Sequence, residues 1–95
     1  MICENFLVWN VRGLNSCARR NVVRDLVGQE RVSLISLQET KLDDCDEAMI
    51  MDMFGLGFDF SFLPACHTCR GILLAWRNDT WSVSNIARGE FSIFL

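Results

Sequence analysis

The sequence predicts an α/β fold, and three observations carry that expectation. Phe6-Leu7-Val8-Trp9 is a short apolar run that stops abruptly at Asn10. Leu34-Ile35-Ser36-Leu37 is a second such run, and it gives way to Gln38-Glu39-Thr40. Between them Val22, Val23, Leu26 and Val27 recur at helical spacing. Strand, helix, strand makes the two strands parallel, joined by a crossover that is almost always right-handed. Both carboxyl ends then point to one side, where ligands and metals sit in open α/β sheets.

The elements follow in order. Ser16 is a plausible N-cap for the first helix, after a Gly13-Leu14-Asn15 turn. Arg19, Arg20, Arg24 and Asp25 take its outer face, and Gly28 reads as its stop. A second helix is expected from about Asp44 to Met53. Asp43, Asp44, Asp46 and Glu47 cluster at its start, where the helix dipole favours negative charge, and read as a solvated first turn rather than a metal site. Phe58, Phe60 and Phe62 alternate onto one face of a strand that Pro64 ends. Ile72 to Trp76 reads as a short buried strand, and Arg77-Asn78-Asp79 as a turn. Trp81 to Ile86 alternates again, so these two runs predict a β-hairpin. Phe91 to Leu95 is a last apolar strand with no polar tail, which marks residues 1–95 as a partial domain cut off within a strand. Trp9, Phe58, Phe60, Phe62, Trp76 and Trp81 are read as core rather than as base-stacking platforms.

Ninety-five residues, 51% of them hydrophobic, allow one small domain at most. No apolar run approaches the roughly 20 residues a bilayer needs. Met1-Ile2-Cys3-Glu4-Asn5 lacks a basic and then apolar leader, so the expected setting is intracellular and not secreted. A net charge of −3 argues against an indiscriminate polyanion binder. It leaves room for an enzyme that meets phosphates locally through a metal. Five cysteines, an odd count, read as free thiols. Cys66-His67-Thr68-Cys69 has no second ligand pair to close a zinc tetrahedron.

Asn10 and Glu39 are the candidate site residues. A lone glutamate after a strand is most often a surface group. An amide and a carboxylate converging at two parallel strand ends look like half of a metal-phosphate site. Mg²⁺ takes hard oxygen ligands, commonly one or two carboxylates with water and phosphate. Arg12, just past Asn10, is in reach of a phosphate but reads more simply as an exposed structural arginine.

Taken together, Trp9-Asn10-Val11-Arg12-Gly13-Leu14-Asn15, Leu37-Gln38-Glu39-Thr40-Lys41-Leu42 and Arg70-Gly71-Ile72-Leu73-Leu74-Ala75-Trp76 resemble the endonuclease/exonuclease/phosphatase (DNase-I-like) superfamily. The apurinic-type endonuclease domain of plant non-LTR (LINE-type) retrotransposons is the closest in style. The resemblance implies the N-terminal part of a four-layer α/β sandwich. It implies Mg²⁺- or Mn²⁺-dependent phosphodiester or phosphomonoester hydrolysis, with DNA as partner and a nuclear role by analogy. By resemblance Glu39 is the metal ligand, Asn10 arranges the phosphate site, and Gln38 supports it.

The departures are large. The chain lacks the family's later D-x-N and S-D-H motifs, has no tyrosine, and carries its one histidine, His67, too early. It also has Cys69-Arg70-Gly71 where relatives commonly show R-G-G. Without those groups the 95 residues alone are expected to be catalytically dead. A non-catalytic relic or small binding protein, or within the same fold a phosphatase, are the alternatives.

Overall fold

The computed structural model describes residues 5–65, 70–86 and 90–94, and for 82–86 and 90–94 the backbone alone. Cys3, Cys66, His67, Cys69 and Leu95 lie outside the described residues. The order is β1 (Asn5–Asn10), α1 (Cys17–Glu30), β2 (Val32–Gln38), α2 (Glu47–Phe54), β3 (Phe58–Ala65), β4 (Arg70–Arg77), β5 (Ser82–Ile86) and β6 (Glu90–Phe94). A four-stranded sheet runs β1-β2-β4-β3, and β5 and β6 form a separate two-stranded sheet. β1 and β2 are parallel, and β4 is antiparallel to both β2 and β3.

One face of the large sheet meets the helices. Strand alternation sorts Leu7, Ile35, Ala75 and Phe60 into one row across it, and Trp9, Leu37, Leu73 and Phe62 into the next. These rows pack with Val23 and Val27 of α1 and Ile50, Met53 and Phe54 of α2. Trp76 is buried apart from that cluster, and Trp81 is half-buried edge-on against Phe6. The opposite face carries several exposed apolar side chains. Phe6 is 61% exposed, Val8 68%, Leu63 52% and Ile72 40%.

Several expectations change. Helix α1 passes through Gly28 to Glu30 and ends at Arg31 in the left-handed region. A mid-helix glycine costs only about 1 kcal/mol, and burial of Val27 on the core side holds the turn around it. Val22, counted in the apolar stripe, is half exposed. Helix α2 starts later, with Asp46 as N-cap accepting from Met49 N at 2.9 Å, so the acidic run does serve the helix start. Pro64 lies inside β3 rather than ending it; β3 is an edge strand, where a missing N–H is tolerated. The hairpin joining β4 to β5 does not form. β4 has β2 on one edge and β3 on the other, so β5 pairs with β6 instead. Of the cysteines described, Cys17 is exposed and Cys45 buried, both free. Burial beside Asp46 and Asp44 pushes the Cys45 thiol up to about 11. Among the described residues no helix is long and apolar enough to cross a membrane.

Candidate active site

β1 and β2 end side by side, with Asn10 opposite Gln38. Beyond that pair the two chains leave the sheet together. Val11 N donates to Gln38 O (3.0 Å), Gly13 N to Glu39 O (2.8 Å) and Leu14 N to Thr40 O (2.8 Å). From the other side Thr40 N donates to Gly71 O (3.1 Å) and Lys41 N to Arg70 O (2.7 Å). Residues 38–41 are thus clamped by main chain on both flanks. Asn15 Nδ2 adds a bond to Lys41 O (3.1 Å), and Arg20 Nη1 one to Leu14 O (2.7 Å).

The clamp forces an unusual path. Arg12 (φ 54°), Glu39 (φ 55°) and Lys41 (φ 58°) all lie in the left-handed region. That costs an L-residue roughly 1–2 kcal/mol and persists only where the surroundings over-determine it. The consequence is local and chemical. A strand continued past Gln38 would send Glu39 to the face opposite Gln38 and Asn10. The left-handed turn instead brings its carboxylate onto Asn10.

Asn10 Nδ2 donates to Glu39 Oε2, and Asn10 Oδ1 accepts from Arg12 N at 3.2 Å. A donor contact and an acceptor contact together fix which way the amide points. On the other carboxylate oxygen, Arg70 Nη1 donates to Glu39 Oε1 at 2.8 Å. The Glu39 side chain is 24% exposed and that of Arg70 74%. The Asn10 amide first, then the Arg70 guanidinium, hold the Glu39 carboxyl below the usual carboxylate range, with the Lys41 charge adding to the effect.

Of the residues singled out in the sequence, Asn10 and Glu39 are in direct contact. Arg12 is exposed and reaches the pair only through its backbone N–H; its side chain lines a shallow cleft with Gly13, Asn15 and Arg19. Gln38 is exposed and enters the clamp through its carbonyl. Arg70 was not among the predicted site residues. Its signal lay in the third motif, where an arginine directly precedes Gly71.

Among the described residues no three acidic, histidine or cysteine side chains gather to cage a metal. A lone, ionised, hard-oxygen carboxylate is nonetheless what Mg²⁺ uses when water and phosphate complete its shell. One carboxylate is the kind of hard-oxygen donor that Mg²⁺ or Mn²⁺ takes, and it does not make a closed, soft-ligand site.

The architecture, with this pair at the carboxyl ends of parallel strands, is that of the N-terminal part of a DNase-I-like α/β fold. Among solved structures the chain is similar to the AP endonuclease LMAP from Leishmania major, with a TM-score of 0.58 and 30% sequence identity across 82% of this chain. It spans 25% of that chain's length. No family model matches the sequence, and no curated protein does.

Proposed function

We propose that this chain is the N-terminal portion of a divalent-metal-dependent phosphodiesterase, a retroelement-type DNA endonuclease working inside the cell and in the nucleus. One observation carries the reading: the Asn10 amide and the Glu39 carboxylate hydrogen-bond where two parallel strands end. Similarity to an AP endonuclease supports a nuclease over a phosphatase of the same fold.

In this reading Glu39 holds Mg²⁺ or Mn²⁺. Such an ion, when bound, stabilises charge developing on phosphoryl oxygens. Asn10 fixes the carboxylate's direction without adding charge, and its own amide is held by Arg12 N. In the same reading the exposed Arg12 side chain pairs with backbone phosphates of DNA. Activation of water needs a general base, and the sequence has no D-x-N or S-D-H to supply one. The chain by itself is therefore inert, and the missing motifs keep a non-catalytic relic as the second reading.

Mn²⁺ titrated into the ¹⁵N-labelled chain tests the site. Line broadening is expected to centre on Asn10 and Glu39 and to vanish in Glu39→Gln. Broadening centred elsewhere would sink the assignment. Plasmid nicking by the chain alone, sensitive to EDTA and absent in Glu39→Ala, would overturn the expected inertness.

A further inference from the structure

Glu39 already has a cation. Arg70 stands at the first position of β4, and its backbone carbonyl is fixed by Lys41 N two residues beyond Glu39. That bond delivers the guanidinium to Glu39 Oε1, while Asn10 holds Oε2. Each carboxylate oxygen thus has a donor. The two donors differ in kind. Asn10 is neutral and anchored on Arg12 N, so it orients the carboxylate without neutralising it. Arg70 is charged, ends a long side chain, and is 74% exposed. A divalent ion at Glu39 meets an oxygen already engaged by positive charge. Asn10 can stay in place beside such an ion. Arg70 is repelled by it.

We propose that Arg70 is a tethered cation that competes with a divalent metal for the Glu39 carboxylate, so that metal binds there by releasing Arg70. This rests on Glu39 being the metal ligand. It adds a control that the Asn10–Glu39 pair alone does not have. An exposed ion pair is weak enough to be exchanged, shifting an equilibrium by about two- to five-fold. Arg70 therefore sets the metal concentration at which Glu39 fills, and does not close the site.

The probe is Mn²⁺ alone, with free Mn²⁺ counted by electron paramagnetic resonance against the full chain and its variants. Arg70→Gln is expected to tighten Mn²⁺ binding about two- to five-fold. Arg70→Lys, which keeps charge but loses the fork, is expected to fall between Gln and the parent. Raising the salt is expected to narrow the gap between parent and Arg70→Gln, because screening weakens the competing pair. Arg70 is exposed, so Arg70→Gln should retain the parent's circular dichroism; if it does not, Arg70→Lys against parent carries the comparison. Binding that Glu39→Gln abolishes but Arg70→Gln leaves equal or weakens overturns the competition and leaves Glu39 as a metal ligand. Binding indifferent to Glu39→Gln removes the metal assignment and the competition with it.

Discussion

Alanine at Gly71 is expected to cost this chain about 2–5 kcal/mol, and the structure separates that cost into two parts. Gly71 sits at φ 93°, where an L-residue loses roughly 1–2 kcal/mol. A methyl group there would also overlap Thr40 Oγ1 and lie 3.3 Å from Lys41 N. Thr40 is fully buried and its hydroxyl accepts from Leu42 N, so it has nowhere to rotate without losing that bond. Forcing extra volume into such a site adds about 1–3 kcal/mol. Urea unfolding followed by tryptophan fluorescence measures the sum. Repeating the Gly71→Ala change in a Thr40→Ala background removes the overlap and leaves the backbone strain, so the cost there should drop to about 1–2 kcal/mol. An equal cost in both backgrounds, or a loss below about 1 kcal/mol in the parent, would refute the account.

Acid should remove the stability that the Glu39 contacts add. The Glu39 carboxyl is held low in the folded chain, so its contribution is full above its unfolded value and is lost as pH falls through the folded one. Between about pH 5 and pH 3 the parent's urea midpoint should therefore fall further than that of Glu39→Gln; parallel falls would remove the link. On the open sheet face, Val8→Lys is expected to reduce self-association without lowering the urea midpoint, since Val8 is 68% exposed on an edge strand. Sedimentation velocity checks it, and an unchanged distribution would mean that this face does not drive association.

The crossover and its two strand ends were legible because the apolar runs stop where the sheet stops, at Asn10 and Gln38. Asn10 and Glu39 could be named from motif residues alone. Arg70 also stands in a motif, but its contact with Glu39 could not be read there, because it depends on β4 meeting the segment after β2, a pairing between distant segments that no local pattern encodes. The false hairpin has a related cause. A three-residue turn after Trp76 suggested that β4 folds back onto β5. β4 instead has neighbours on both edges, a matter of backbone pairing with distant strands that the local turn signal does not report. The left-handed positions at Arg12, Glu39 and Lys41 leave no trace in composition, since none is glycine or asparagine. They are imposed by the bonds on either side.

Those bonds join peptide groups and not side chains. Five amide-to-carbonyl links knit the three converging segments, and none depends on which group hangs from position 39. Reactivity and scaffold are therefore separable here. A copy that lost its acid would keep the same outline, and a silent variant would be indistinguishable from a competent one in shape.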